Sequence, residues 1–331
     1  MLQAEPEHDR STVKIRVLGA DALARACPMP DAIDAVEEGF RALSSGRANV
    51  PLRLALPLRE AGASALFMPA VMDEGSAATV KLVSVVPSNA TRGLPIVQAA
   101  VVIVDATTGT PRALVDGTAL TALRTGAAGG LAARRLARAD SRVVALYGAG
   151  VQARAQLQAL VSLRRFREIR IVAPHREHAA AFATEFSRPG VKVVVAGREA
   201  ARGADIVVCA TTSNTPVFEA SDLGSGVHVT GVGSYRPEMR EIPPEAFGGA
   251  LVVVDQREAA LAEAGELIDA VERRILNKED LVELGEDRAR RAAPEQRTIF
   301  KSVGNAVQDL VVATRALERA EKLDLGTMVE L

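Results

Sequence analysis

The chain has 331 residues, 48% of them hydrophobic, and its 40 basic and 41 acidic side chains nearly cancel. This length is sufficient for two domains with buried cores, and the composition excludes an intrinsically disordered chain. Only 3% of the residues are aromatic, and no basic run carries interleaved aromatics. A nucleic-acid-binding surface is therefore not expected.

No apolar stretch reaches the length of a membrane span. Residues 1–10 are polar and acidic, unlike a secretory signal, and we expect a cytoplasmic protein. Cys27 and Cys209 lie far apart in the sequence, and we interpret both as buried thiols without a disulfide. No His or Cys pair has the spacing of metal ligands, so no metal site is predicted.

The first third of the chain predicts a sheet built from hairpins. Residues 13–18 alternate as a strand, and 31–43 carry apolar residues at helical spacing. Strand-like segments separated by Gly, Pro, Asn and Ser then follow at 52–58, 65–69, 77–86, 97–105 and 111–116. Because consecutive strands without intervening helices are usually joined as hairpins, this region predicts antiparallel pairing.

After a long helix at 120–136, the pattern changes to alternating strands and helices. Strands are predicted at 143–147, 169–173, 191–195, 206–210, 227–231 and 250–255, with helices at 151–166, 177–186 and 198–203. Such alternation is typical of an α/β protein with a doubly wound parallel sheet. Residues 298–309 are predicted to open a final helix that runs towards residue 322, beyond the last strand.

This order predicts two domains. A Rossmann-type domain, residues 122–305, is inserted in a discontinuous α+β substrate-binding domain, residues 1–121 and 306–331. The cleft between the two domains is the expected site.

The strand at 143–147 ends in a glycine turn that leads into a helix. Gly148, Gly150 and Ala153 fit the pattern Gly-x-Gly-x-x-Ala, in which the glycines allow a tight turn and the close approach of a pyrophosphate. We predict that Gly148, Gly150, Val151 and Gln152 bind a dinucleotide at the helix N-terminus. The bare pattern also occurs in ordinary turns, and the next strand at βαβ spacing is what favours a cofactor.

The end of the second parallel strand indicates which cofactor binds. Folds that prefer NAD place an acid there for the ribose 2′-hydroxyl, but this chain has Ala173. His175 and Arg176 offer donors for a 2′-phosphate, so NADP(H) is favoured over NAD(H). Two alternatives stay open: Arg176 is a solvated residue at a helix start, or Glu177 is the acid of an NAD site. Three further cofactor contacts are predicted at Thr211, Val232 and Ser302, of which Thr211 and Ser302 have turn or helix capping as an alternative.

Three cations interrupt apolar segments: Arg53, Lys81 and Arg124. An isolated charge in such a segment needs a partner or solvent. A solvent-facing position is the alternative for each, and Lys81 is the hardest to explain in that way. Together they would form a clamp for a substrate carboxylate, because Arg binds it through two parallel hydrogen bonds and Lys adds a point charge.

These features together resemble the ornithine cyclodeaminase and mu-crystallin family over nearly the whole chain. The matching stretches are 80–84, 87–89, 93–95, 116–128, 148–153 and 300–304. The resemblance implies that Lys81 and Arg124 are catalytic and hold the substrate carboxylate with Arg53. It also implies that Arg124 and Thr125 lie near the cofactor, that the α+β domain joins two copies into a homodimer, and that two further residues line the substrate pocket: Tyr235 and Val303.

Family members include ornithine cyclodeaminases, alanine dehydrogenases and reductases of cyclic ketimines, and the fold does not choose among them. Cyclodeaminases carry an aspartate acid/base in a pattern like Gly-x-Asp-x-Pro, where this chain has Tyr235. A carboxylate suits their repeated proton transfers, whereas a phenol ionises only at alkaline pH. Hydride transfer to a protonated cyclic imine mainly requires orientation and exclusion of water. His228 is interpreted as a core or edge residue.

We therefore expect NAD(P)H-dependent reduction of Δ1-pyrroline-2-carboxylate or Δ1-piperideine-2-carboxylate to L-proline or L-pipecolate. Ornithine cyclodeaminase or alanine dehydrogenase activity is the enzymatic alternative. A non-catalytic protein that binds NADP(H) and a small ligand is the alternative from another class.

Overall fold

The computed structural model describes residues 12–331. The sequence interpretation of residues 1–10 lies outside this range. Within it, no helix combines the length and the apolar character that a membrane crossing requires.

The chain begins with a sheet that is mainly antiparallel. Its strands up to residue 116 are β1 (Lys14–Leu18), β2 (Ala48–Asn49), β3 (Leu54–Pro57), β4 (Ser64–Met72), β5 (Ala77–Val85), β6 (Val97–Asp105) and β7 (Pro111–Asp116). Strands β4 to β7 pair in sequence as antiparallel neighbours, so the predicted hairpins are confirmed. Between β1 and β2 lie α1 (Ala20–Ala26), which was not predicted, and α2 (Met29–Ser44).

Helix α3 (Gly117–Leu136) connects this sheet to a second one. The second sheet contains β8 (Val143–Tyr147), β9 (Glu168–Val172), β10 (Lys192–Val195), β11 (Ile206–Cys209), β12 (His228–Gly231), β13 (Leu251–Val254), β14 (Val282–Glu283) and β15 (Thr298–Lys301). Its helices are α4 (Val151–Leu163), α5 (Arg176–Glu185), α6 (Arg257–Glu263) and α7 (Gly265–Glu272). The predicted helix at 198–203 is only a 3₁₀ turn, Arg198–Ala201.

All strands of the second sheet are parallel, in the order β10-β9-β8-β11-β12-β15-β13-β14. From β8, the chain first adds β9 and β10 on one side and then adds β11 and the later strands on the other side. This reversal confirms the doubly wound α/β sheet. In such sheets ligands bind beyond the carboxyl ends of the strands at this switch point.

The prediction that residues 298–309 open a helix is wrong for residues 298–305, because the helix begins only at Ala306. Thr298–Lys301 is β15, a buried strand between β12 and β13. Its two polar ends are satisfied inside the protein, because Thr298 Oγ1 donates to the Leu136 carbonyl at 3.1 Å and Lys301 Nζ donates to the Ser234 carbonyl at 2.8 Å. Those polar residues obscured the strand in the sequence.

The last helix is α8 (Ala306–Leu323), and Asn305 caps it by accepting the Val307 N–H. Strand β16 (Thr327–Glu330) then pairs with β1, which closes the first sheet in the order β16-β1-β7-β6-β5-β4-β2, with β3 also on β4. The division into domains 1–121 with 306–331 and 122–305 stays a proposal, and α3 is continuous across residue 121.

Helices α2, α3 and α8 pack together and share one buried core with both sheets. Helix α3 also packs closely on α4, because a Cβ at Gly126 would lie 2.7 Å from the Ala155 carbonyl oxygen. Gln156 on α4 donates to the Thr125 carbonyl at 2.7 Å, and the missing side chain of Gly129 leaves space for its amide. These contacts fix α4 against α3.

Candidate active site

The glycine turn after β8 has the backbone geometry of a pyrophosphate cradle. Gly148 has φ 115°, and a Cβ there would overlap the Ala210 carbonyl oxygen. Gly150 is the N-cap of α4, and no atom lies within 4 Å of the place of its Cβ. Val151 is 60% exposed, and Gln152 Oε1 is buried without a hydrogen-bond partner among residues 12–331. This open helix start fits an anionic dinucleotide.

The loop after β9 carries the residues predicted to select the cofactor. His175 precedes α5 and Arg176 begins it, and both side chains are exposed. His175 Nδ1 lies 3.8 Å from the Glu177 carboxylate. Ala173 directly follows β9, so the structure brings no carboxylate to the first position after this strand.

Asp255, at the end of β13, fixes the segment that follows β15. One oxygen, Oδ2, accepts hydrogen bonds from Ser302 Oγ at 2.8 Å, Val303 N at 3.0 Å and Gly304 N at 2.7 Å. The Ser302 hydroxyl hydrogen is therefore used within the protein. Val232 follows β12 and is half-buried.

A buried charge network that the sequence interpretation missed holds the ends of β11 and β12 together. Glu241 accepts from the N–H groups of Thr211 at 2.6 Å and Gly233 at 2.7 Å. Burial raises the pKa of Glu241, and the nearby Lys301 ammonium opposes that rise. Lys301 Nζ also lies 3.4 Å from Glu266. No sequence spacing indicates this network, because its members come from separate loops and strands.

Lys81 and Arg124 meet at one buried carboxylate, Asp309. Lys81 is 1% exposed, and its Nζ donates to Asp309 Oδ2 at 2.7 Å. Arg124 Nε lies 3.2 Å from Asp309 Oδ1, and Arg124 Nη1 donates to Gln308 Oε1 at 2.6 Å. A solvent-facing position is therefore wrong for both cations. The sequence interpretation assigned no role to Asp309.

The fold explains why Lys81 points inward. On β5 the side chains alternate, so Val80 and Leu82 are exposed on one face while Lys81 enters the other. Helix α8 packs against that inner face and brings Asp309 in its first turn. The cation and its partner are 228 residues apart in the sequence.

Arg53 reaches the same region from the segment before β3. Its Nε donates to Glu263 Oε1 at 2.8 Å, its Nη2 contacts Glu263 Oε2, and Nη2 also donates to the Val303 carbonyl at 3.3 Å. Arg53, Glu263 and Tyr235 line one open groove. Tyr235 is half-buried, and the Arg236 guanidinium carbon lies 5.4 Å from the centre of its ring.

The three cations influence one another electrostatically. Burial, the Arg124 charge and, to a smaller extent, the Arg53 charge together lower the pKa of Lys81 to about 8, although Asp309 opposes the shift. The pKa of Arg53 is lowered by burial, with Asp255 opposing and Arg124 contributing. Arg124 also lies against Gly304, since a Cβ there would be 2.8 Å from Arg124 Nη1. The structure thus brings Arg53, Lys81 and Arg124 together beside residues 303–309.

Other polar candidates have structural roles. His228 is buried, with its ring nitrogens 2.9 Å from Thr298 Oγ1 and 3.0 Å from Thr230 Oγ1. Burial lowers the pKa of His228 to about 3, so it is a neutral core residue, as the sequence interpretation held. Cys27 and Cys209 are buried free thiols.

Known proteins match this chain over nearly all of its length. The model of the ornithine cyclodeaminase/mu-crystallin family covers residues 16–324. A Delta(1)-pyrroline-2-carboxylate reductase of Bacillus cereus is 35% identical over 95% of this chain and 99% of its own.

Two solved structures share the fold. One is Thermococcus litoralis Delta(1)-pyrroline-2-carboxylate reductase in complex with NADH and L-proline, at a TM-score of 0.89 and 35% identity, covering 95% of this chain and 99% of that one. The other is an archaeal alanine dehydrogenase dimer with bound NAD, at a TM-score of 0.89 and 33% identity, covering 96% and 99%. With this coverage, the chain belongs to the ornithine cyclodeaminase/mu-crystallin family.

Proposed function

We propose that the protein is an NAD(P)H-dependent reductase of a cyclic imino acid, Δ1-pyrroline-2-carboxylate or Δ1-piperideine-2-carboxylate, and that it forms L-proline or L-pipecolate. The observation that carries the proposal is the meeting of Arg53, Lys81 and Arg124 beside residues 303–309. The pyrroline-2-carboxylate reductases of Bacillus cereus and Thermococcus litoralis support the choice of substrate class.

The substrate carboxylate binds to the cations around Asp309. Lys81 and Arg124 share this single carboxylate, so their pair keeps one positive charge in excess. Lys81 and Arg124 orient the ring by its carboxylate while the surrounding apolar residues exclude water. A nicotinamide cofactor held at residues 148–153 would supply the hydride for the C=N carbon of the protonated imine. The product is the saturated ring with a secondary amine.

Alanine dehydrogenation is the second candidate, because an archaeal alanine dehydrogenase is as close in fold. The cation cluster consists of Arg53, Lys81 and Arg124 with Asp309. An amino acid would bind its carboxylate to the same cations, so this cluster does not distinguish imine reduction from alanine dehydrogenation. Tyr235 favours the reductase, since no carboxylate stands at this position to accept protons from an amine.

Turnover separates the candidates. Purified protein is mixed with NADPH or NADH and each cyclic imine, and absorbance of the reduced cofactor is followed. We expect oxidation of the cofactor with at least one ring size. No oxidation with either imine, together with ammonia release from ornithine or cofactor reduction by L-alanine, would overturn the proposal.

We further propose that NADP(H) is preferred over NAD(H). Ala173 offers no carboxylate to a ribose 2′-hydroxyl, and the exposed His175 and Arg176 are available to a 2′-phosphate. The two solved relatives were described with NADH and NAD. Direct comparison of the two cofactors therefore tests whether this chain differs from them.

We also propose a homodimer joined through the outer face of the first sheet. Leu54, Phe67 and Leu82 are direct neighbours across β3, β4 and β5, on the face opposite Lys81. Leu54 and Leu82 are exposed, as is Val80 on the same face of β5. A contiguous exposed apolar surface of this kind marks an interface. Light scattering should give twice the chain mass for the wild type, and the chain mass for Leu82→Glu.

A further inference from the structure

Glu263 contacts Arg53 across the cleft between the two sheets. It is the last residue of α6, which follows β13 of the parallel sheet, whereas Arg53 precedes β3 of the first sheet. Its two carboxylate oxygens face Nε and Nη2 of the guanidinium, with Nε to Oε1 at 2.8 Å. The side chains are only 16% and 21% exposed, so this is a largely desolvated, two-point ion pair.

The remaining hydrogen bond of Arg53 also reaches the parallel-sheet side of the cleft. Its Nη2 donates to the Val303 carbonyl at 3.3 Å. Nε and Nη2 are thus committed to the parallel sheet, and within residues 12–331 no hydrogen bond of Nη1 is present. Nη1 is the nitrogen left to donate to a ligand.

We infer that Glu263 is a positioning residue for substrate recognition, which fixes the Arg53 guanidinium so that Nη1 meets the substrate carboxylate. The inference rests on the proposed function, because it takes a carboxylate as the ligand of Arg53. An unpaired arginine loses rotamer freedom when it binds a ligand, and a side chain already held at two nitrogens has lost that freedom before the ligand arrives.

The other two cations do not need Glu263. Lys81 and Arg124 are held by Asp309, which lies on α8 and packs against the first sheet. Arg53 alone is oriented from the parallel sheet. Its contribution to carboxylate binding therefore requires that the two sheets are docked. The substrate carboxylate would then contact cations that are held in place from both sides of the cleft.

A competing role for Glu263 predicts the opposite sign. If Glu263 occupied the place of the substrate carboxylate, its removal would free Arg53 and tighten binding. If it positions Arg53, its removal weakens binding, and it does so only while Arg53 is present. The dissociation constant of a carboxylate ligand, measured with Arg53 present and with Arg53→Ala, therefore distinguishes the two roles.

The experiment measures binding of pyrrole-2-carboxylate, a flat ring with a carboxylate beside its nitrogen that cannot accept hydride. Calorimetry on the cofactor-bound protein compares wild type, Glu263→Gln and Glu258→Gln. Glu258 lies on the same helix and is exposed, so its variant controls for the loss of one negative charge. We expect about tenfold weaker binding for Glu263→Gln, about 1.4 kcal/mol, with Glu258→Gln and all cofactor dissociation constants within about twofold of wild type.

The double variant supplies the decisive control. In the Arg53→Ala background, Glu263→Gln should cause no further loss, because it acts through Arg53. Glu263→Asp keeps the charge but shortens the reach, and should bind with intermediate affinity. Equal or tighter binding by Glu263→Gln, or the same loss without Arg53, overturns the inference.

These results also separate the inference from the proposed reaction. A wild type that binds pyrrole-2-carboxylate but reduces neither imine removes the reaction and leaves Glu263 to be judged by the binding ratio. Turnover of an imine with unchanged binding in Glu263→Gln keeps the reaction and removes the role of Glu263. A wild type that binds no pyrrole-2-carboxylate removes the positioning role.

Discussion

The cofactor edge of the parallel sheet and the cation cluster are built in different ways. The glycine turn uses backbone geometry from six consecutive residues, 148–153, with an open helix start. The cation cluster uses side chains from four distant segments, brought together as Arg53, Lys81, Arg124 and Asp309. The predicted cofactor turn can therefore be identified from consecutive residues of the sequence, whereas the buried charges come together only in the folded chain.

The two regions also differ in what they do to stability. A glycine turn costs little beyond the flexibility of its residues in the unfolded chain. Burial of charged groups is unfavourable unless they are paired, and the lowered pKa of Lys81 reflects that burial. We therefore interpret the cation cluster as an arrangement kept for binding.

The largest expected effect is the loss of the Lys81 charge. Lys81→Met should lower kcat/KM for the imine by about 10²–10³-fold, since truncating one partner of a buried charge pair costs about 2–5 kcal/mol. The cofactor dissociation constant should stay within about twofold, because the cofactor edge does not contain this charge. Steady-state kinetics and fluorescence titration measure the two quantities.

Lys192→Ala is the matched control, since Lys192 is an exposed lysine at the far edge of the parallel sheet. It should behave as wild type. Full activity of Lys81→Met would show that the cation cluster does not bind the substrate, and a parallel loss of cofactor affinity would show that the two regions are not separate.

Two glycine variants test the backbone-built region. Gly148→Ala should unfold more easily by about 2–4 kcal/mol and lose cofactor affinity, because φ is positive and the new Cβ meets the Ala210 carbonyl. Gly150→Ala should change the free energy of unfolding by less than about 1 kcal/mol, because its Cβ meets no atom.

Gly150→Ala should nevertheless weaken cofactor binding by about tenfold or more, since the added methyl group occupies the approach of the pyrophosphate. Urea unfolding and cofactor titration measure both effects. Normal cofactor affinity in Gly150→Ala would contradict the assignment of this turn to the pyrophosphate.

A smaller effect is expected at the loop after β9. Arg176→Ala should weaken NADPH binding by about tenfold, the value of one charge-assisted hydrogen bond to a phosphate, and leave NADH binding within about twofold. Titration of both cofactors gives the ratio. Tighter binding of NADH than NADPH by the wild type would remove the role proposed for His175 and Arg176 and favour Glu177 as the cofactor acid.

The smallest effect is a pH dependence confined to the cation cluster. With the pKa of Lys81 lowered to about 8 from 10.5, the charged form is present below about pH 8 and lost above it. Binding of a carboxylate ligand should therefore weaken by several-fold between about pH 7 and pH 9. The unfolded chain holds this proton up to higher pH, so the free energy of unfolding should rise between about pH 8 and pH 10.5.

Lys81→Met should bind the ligand weakly and without this pH dependence. Cofactor binding at the glycine turn should show no change near pH 8 in the wild type or in Lys81→Met. Calorimetry across the pH range tests both expectations, and an identical pH profile in Lys81→Met would assign the titration to another group.

The sequence predicted those features of the fold that depend on contiguous residues. The parallel sheet, the hairpins before residue 116 and the family were confirmed, because strand composition, turn residues and the glycine motif are contiguous. Strand β15 was mistaken for a helix because Thr298 and Lys301 are polar residues satisfied by groups from other elements.

The anionic partners could not be predicted in the same way. Asp309 and Glu263 lie 228 and 210 residues from the cations that they contact, so no spacing relates them. Glu241 binds backbone N–H groups, which every residue type except proline carries, so the identity of its partners gives no signal in the sequence. The cations were recognisable because an isolated charge in an apolar segment is itself unusual.

The contact between α3 and α4 has a consequence for evolution. Gln156 and the glycines of α3 join the helix that begins at the pyrophosphate cradle to the helix that carries Arg124. The loop after β9, with His175 and Arg176, is exposed and takes no part in that contact. If His175 and Arg176 select the cofactor as proposed, a lineage can exchange one nicotinamide cofactor for the other by substitutions in this loop, while the contacts that place Arg124 are inherited unchanged.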